Sequence, residues 1–172
     1  LCIIDLSEFF NKCTFKPFIN RTVRAIKVSH KCGHLSKGFH EKMLDFATSI
    51  GMGGLGYLEV EEDLSYKGPI DKFIPDALKK DLLELAELEK GDTIFFIADT
   101  EKRATVLAGQ IRAELGKRLN LIDENVFSFA WIIDFPMFEL DEHDKLTFSH
   151  NPFSMPQGGL EALKNQNPLD IL

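Results

Sequence analysis

At 172 residues, 44% of them hydrophobic and 27% charged, the chain has an ordinary globular composition and room for one domain, or one domain and part of another. Roughly two-thirds of the unfolded surface is buried at this size, so no disulfide or metal staple is required. A net charge of −7 argues against wholesale wrapping of nucleic acid, and the three scattered cysteines lack the C-x-x-C spacing of a metal or redox motif and the regular pattern of a secreted disulfide framework.

No apolar run approaches the roughly 20 residues that cross a bilayer. The expected location is the cytoplasm, with no membrane and no DNA partner. Leu1 is not a start methionine, so the true N-terminus is expected upstream. Charge is uneven along the chain. Six Lys/Arg and one Glu lie between Arg21 and Lys42, a run that can touch an RNA backbone or can simply be a solvated face.

Residues 1–20 are apolar and read as a lead-in segment. Residues 22–28 are rich in β-branched side chains and read as a strand. Ser36 is placed to cap a helix running to about Ile50, with Phe39, Met43, Phe46, Ala47 and Ile50 on one face. The cluster Gly51-Met-Gly-Gly54 ends it. A strand over 55–61 comes next, then a loop through Lys67-Gly-Pro69. Asp76 starts a second helix with a stripe of Leu78, Leu82, Leu85, Ala86 and Leu88. After a Gly91-Asp92 turn, 93–98 reads as a short buried strand. Asp99 or Thr100 caps a third helix to about Leu119, apolar at Ala104, Leu107, Ala108, Ile111, Leu115 and Leu119. Residues 126–133 and 146–149 read as a hairpin across the polar turn at 141–144. The remainder, 157–172, is loop-like with no obvious core partner. The composition changes near 121–125, the candidate domain boundary.

Three motifs invite chemistry. Gly51, Gly53 and Gly56 spell G-x-G-x-x-G, but a pyrophosphate cradle needs its glycines after a strand and at a helix N-terminus. Here they come after a helix and precede a strand, so the reading is a helix stop. His30, Cys32, His34 and His40 include zinc-type ligands without the paired spacing of a structural site; an exposed polar loop accounts for them better. His150, flanked by Pro152 and Phe153 on a loop after a strand, can hydrogen-bond a ligand carboxylate, amine or ribose, or can be merely exposed. Asp134, just before Phe135-Pro136, reads as satisfying a loose backbone amide where the proline interrupts a ladder.

The stretch Trp131-Ile-Ile-Asp-Phe-Pro-Met-Phe-Glu139, with His150-Asn-Pro-Phe-Ser154 after it, resembles the "DFPMFE … HHPF" block of bacterial-type aspartyl-tRNA synthetases. The likeness extends backwards in order. Thr22-Val-Arg-Ala-Ile-Lys-Val28 is similar to the start of that family's inserted GAD domain, as are Gly54-Leu-Gly-Tyr-Leu-Glu-Val60, Gly68-Pro-Ile-Asp-Lys-Phe-Ile74 and Gly91-Asp-Thr-Ile-Phe-Phe-Ile-Ala-Asp99 to its later segments. Each match is short; their colinear order from about residue 21 to 156 makes them specific.

The resemblance implies an α+β fold. A two-layer GAD insertion with an antiparallel sheet and helices on one side would span 21–122, and 1–20 would lead in from the catalytic domain. Residues 123–172 would be a partial class II catalytic domain of antiparallel strands. The β-α-β-α-β-α order alone suggests a parallel sheet, so the resemblance changes that expectation. It implies a parent, expected to be a homodimer, that activates aspartate with ATP and Mg²⁺ and transfers it to tRNA. The arginine-bearing second motif and the glycine-rich third motif of class II enzymes are absent here, so this stretch is expected to be inactive by itself and to bind no cofactor. His150 matches the family's first loop histidine near the substrate, while Asn151 stands where the second is common and carries no charge. Arg103, Arg112 and Lys117 of the third helix are the candidate tRNA contacts. A related GAD module occurs in the B subunit of the tRNA-dependent amidotransferase, and a non-catalytic interaction domain is the remaining alternative.

Overall fold

The computed structural model describes residues 1–141, 143–149 and 153–172. The chain divides into two compact units, Leu1–Asp123 and Glu124–Leu172.

The first unit is built on a five-stranded sheet in the order β1-β2-β5-β3-β4. Its strands are β1 (Ile3–Asp5), β2 (Thr22–Val28), β3 (Gly56–Val60), β4 (Tyr66–Lys67) and β5 (Thr93–Asp99). Every neighbouring pair is antiparallel. Four helices accompany the sheet: α1 (Ser7–Phe10), α2 (Lys37–Ser49), α3 (Asp76–Leu85) and α4 (Glu101–Arg118).

The antiparallel sheet of an α+β domain is present, and the topology explains why the element order suggests a parallel one. β2 and β3 both run antiparallel to β5, which lies between them, so they are parallel to each other and joined through α2. The β2-α2-β3 unit is a crossover whose gap is filled by a later strand, a split β-α-β.

β5 is the central strand, and its burial shows what organises the domain. Residues Thr93 to Ile97 are all buried. Ile94 and Phe96 enter one apolar cluster with Val23, Ala25, Leu58 and Leu82. Phe95 and Ile97 enter the other, with Ile26, Val28, Met43, Ala47 and the α4 stripe. A strand covered on both faces carries a continuous apolar run instead of an alternation.

The expectation of helices on one side is therefore corrected in one respect. The two longest helices, α2 and α4, do share a face. The opposite face is covered too, by α1, α3 and the segment carrying Cys13 and Phe18. Residues 1–20, expected to lead in from a neighbouring domain, supply β1 and α1 to this same sheet and core.

Local sequence signals account for the helix ends. The Ser36 hydroxyl accepts from the Phe39 N–H, capping α2. Gly51 lies just beyond at φ +86°, a left-handed turn that stops the helix. At α4 the cap position is Thr100, without a side-chain cap bond; Asp99 instead pairs with Arg103 at 3.1 Å and Arg21 at 3.9 Å. In α3, Leu82 and Ala86 are buried as expected but Leu85 is 57% exposed.

The second unit is smaller. Its strands are β6 (Phe138–Leu140) and β7 (Leu146–Phe148), antiparallel and succeeded by α5 (Gly159–Asn165). Met137, Ala162 and Ile171 form its core, with Phe138 packed against them. The expected hairpin is thus real but uses 138–140 as its first strand. Residues 126–133 are in neither helix nor strand. Nor is 157–172 wholly loop: α5 and the chain end fold back, with the Met137 N–H bonded to the Ile171 carbonyl at 2.8 Å.

Candidate functional site

The residues singled out from sequence scatter. His150 and Asn151 lie outside the described residues. Asp134 is exposed at φ +53°, and Gln157 Nε2 approaches its carboxylate at 3.5 Å. Arg103, Arg112 and Lys117 are all exposed on α4, but at about 100° per residue Arg103 and Arg112 stand about 180° apart around the axis. Lys117 falls near the azimuth of Arg103, about 21 Å further along. The three do not form one patch. Arg112 Nε donates to the Leu1 carbonyl at 2.6 Å, and Arg103 donates to the Gly51 carbonyl at 3.1 Å.

The histidines are likewise separated by their environments. His30 is tied to Asp92, a carboxylate only 1% exposed. Asp92 accepts from the His30 N–H at 2.8 Å, from its ring Nδ1 at 3.0 Å and from the Glu89 N–H at 2.9 Å. Burial pushes this carboxyl up, but these donors together with Lys27 outweigh it and hold it below the usual range. The network fastens the end of β2 to the start of β5, a structural task.

His40 is buried in the α2 face. Its Nδ1 lies 3.2 Å from the Ser36 carbonyl and its ring stacks on Tyr57, centroids 4.0 Å apart. Nε2 is 3.4 Å from a Glu59 oxygen; this is an ion-pair distance without hydrogen-bond geometry, so the buried nitrogen is left without a hydrogen bond. Burial lowers its pKa, and nearby His34 adds to that effect, against the opposing pull of the Glu59 carboxylate.

Tyr57 also lines a groove of about 730 Å³. Phe15, Phe73, Leu44 and Ile70 supply apolar wall, Gly53 and Gly54 part of the rim, and Lys72 and Asp99 the charged lining. Phe15 and Phe73 pack ring on ring at 4.4 Å, and Lys72 Nζ sits 5.0 Å from the Phe73 centroid. Sequence reading misses this site because its walls come from residues up to about 80 positions apart. The one local signal is the glycine cluster, which by itself reads as a helix stop. A cavity of about 540 Å³ lies elsewhere on the unit, lined among others by Cys2, Cys32 and Lys27.

Among the described residues no group of three or more His, Cys, Asp or Glu could hold a metal ion. The glycine run comes after α2 and leads into β3, the wrong polarity for a phosphate cradle. No described helix is long and apolar enough to cross a membrane.

Residues 16–108 match the GAD domain family. The whole chain is 46% identical over 178 residues to an aspartate–tRNA(Asp/Asn) ligase of Ehrlichia chaffeensis and 43% identical over 178 residues to that of Rickettsia felis. Over 171 residues, 99% of the chain, it is 42% identical to an aspartate–tRNA ligase of Streptomyces coelicolor. The chain spans about 30% of the length of the relatives it matches.

Proposed function

Because the chain belongs to the GAD-domain family, we propose that it is a portion of an aspartate–tRNA ligase, comprising the GAD domain and part of a class II catalytic domain. The observation that carries this reading is the extent of the likeness. Identity of 46% covers all of the chain, including residues 109–172 beyond the GAD match. A GAD module set in an amidotransferase subunit gives no reason for the second unit to resemble the ligases as well.

On this reading the parent joins aspartate to the α-phosphate of ATP with loss of pyrophosphate, then passes the aspartyl group to the tRNA 3′ end. Such a reaction calls for preorganised positive charge around the phosphates. No step of it is assigned to the described residues. They give the parent a rigid sheet domain, and the chain alone is inactive. By their match to the family's motif, His150 and Asn151 are assigned to binding of the amino-acid substrate. The parent is a cytoplasmic homodimer using ATP and Mg²⁺.

The test is aspartate-dependent ATP–pyrophosphate exchange by the complete parent reading frame, with the 172-residue chain as control. Exchange by the parent and none by the chain is expected. A folded parent without exchange overturns the ligase reading.

A further inference from the structure

We propose that the groove between β3, the 15–18 segment and the Pro69–Phe73 turn binds unpaired nucleobases of an RNA strand. The choice of RNA deepens the ligase reading above and rests on it. The groove's stacking and charge chemistry is independent of that reading.

Three observations converge. The first is the wall. Phe15 and Phe73 are half-buried and packed on each other at 4.4 Å. Tyr57 also borders the groove, although its ring packs on the α2 face of the sheet, against His40 at 4.0 Å. Aromatic faces held in place accept any base by stacking. At about 730 Å³ the space falls within the roughly 300–1,000 Å³ of small-ligand sites.

The second is charge. The chain carries −7 overall, yet the charged lining is Lys72 and Asp99, and Asp99 is held by Arg103 at 3.1 Å and Arg21 at 3.9 Å. The lining and its direct partners are thus net positive, which suits a phosphate backbone running past stacked bases. Arg103, one of the three helix cations expected to meet RNA, reaches the groove through its pairing with Asp99; Arg112 is on the far side of α4.

The third is glycine. Gly51 needs its positive φ, and a Cβ on Gly56 would press on Ile70 at 2.9 Å. Gly53 and Gly54 have neither reason: neither shows a positive φ, and a Cβ at either would meet nothing within 4 Å. Both line the groove. Bare backbone at a rim with no internal cause permits close approach from outside.

The experiment titrates the 172-residue chain into a short fluorescein-labelled single-stranded RNA, read by anisotropy, with the same sequence as a duplex alongside. Single-strand binding in preference to duplex is expected. Gly54→Leu, which fills the rim, and Lys72→Glu, on an exposed residue, should each weaken it about tenfold or more, and Lys72→Glu should flatten the salt dependence. Urea midpoints confirm that the variants remain folded; should Gly54→Leu fail there, Lys72→Glu decides alone. Equal affinity for duplex, wild-type affinity in the folded variants, or no RNA binding by the wild-type chain overturns the proposal. So does displacement of the RNA only by an apolar peptide with the cation irrelevant. The exchange assay is separate: a parent that exchanges while its chain ignores RNA loses only the groove, and the reverse result loses only the ligase.

Discussion

His40 is where burial and charge oppose each other most directly. The imidazole is 6% exposed, and with Nδ1–H directed at the Ser36 carbonyl the neutral ring leaves Nε2 bare beside Glu59. Protonation would place a proton facing that carboxylate at 3.4 Å, yet the cost of burying the cation, with His34 nearby, prevails and the pKa is lowered. An unfolded histidine titrates near ~6.5, above the folded value, so the unfolded state takes up its proton first as pH falls. Stability contributed by neutral His40 is complete above about pH 6.5 and is lost as pH drops towards the lower folded pKa, at up to about 1.4 kcal/mol per pH unit. His40→Phe keeps the stack on Tyr57 and removes the titration. Denaturant unfolding at about pH 7.5 and about pH 5.5 should show a smaller acid loss in the variant than in the wild type. An identical acid loss would mean that His40 is not the group responsible. Asp92 adds an acid limb at lower pH, since its folded pKa is depressed and its contribution is lost as pH falls through that value.

Elements differ in how far sequence reveals them. β2 spans Thr22–Val28, the run that β-branching alone selects, and α2 and α4 emerge from their apolar stripes and caps, because these signals are local. The double-sided cover of the sheet is also written in the chain: Ile94-Phe-Phe-Ile97 lacks the alternation that a sheet with one wet face requires. β4, only two residues long, carries no periodicity and reads as loop. It forms because Tyr66 is buried, with its hydroxyl donating to the Lys79 carbonyl at 2.9 Å, a contact no window of sequence displays. The turn beyond it makes a sharp test. Gly68 has φ +149°, and a Cβ there would lie 2.5 Å from the Tyr57 carbonyl oxygen. Neither the left-handed backbone nor the β3 backbone can yield cheaply, so Gly68→Ala should cost about 2–4 kcal/mol. Gly56→Ala meets side chains alone, Ile70 Cδ1 at 2.9 Å, its Cγ1 at 3.0 Å and the Phe18 ring at 3.4 Å, and should cost about 1–2 kcal/mol. Urea midpoints rank the two; Gly56→Ala proving the worse would mean that Ile70 is too tightly held to move.

On the scale of the whole molecule, the structure divides after Asp123, a few residues past the end of the α4 stripe. The residues past that boundary are less legible. Apolar content alone makes 126–133 a strand, but a strand also needs a hydrogen-bonding neighbour, and none of the described residues pairs with it. Phe127, Phe129 and Trp131 are 88%, 97% and 95% exposed. On the proposed reading, the neighbours come from the rest of the parent. This stretch also contains the chain's single tryptophan, and both facts can be measured. Exposed apolar backbone outside any element is the preferred site for a protease, and these aromatic residues suit chymotrypsin. Brief digestion should cut within 127–131 and leave an N-terminal product containing the five-stranded sheet and both of its apolar clusters. That product should retain a cooperative urea transition by circular dichroism, since every buried partner of β5 lies before Asp123. Tryptophan emission of the intact chain should already resemble solvated indole and scarcely change through the same transition, because Trp131 has little burial to lose. A product that unfolds without cooperativity would show that the first unit depends on residues beyond Asp123, and a strongly shifted tryptophan emission would show that the 126–133 stretch finds cover within this chain.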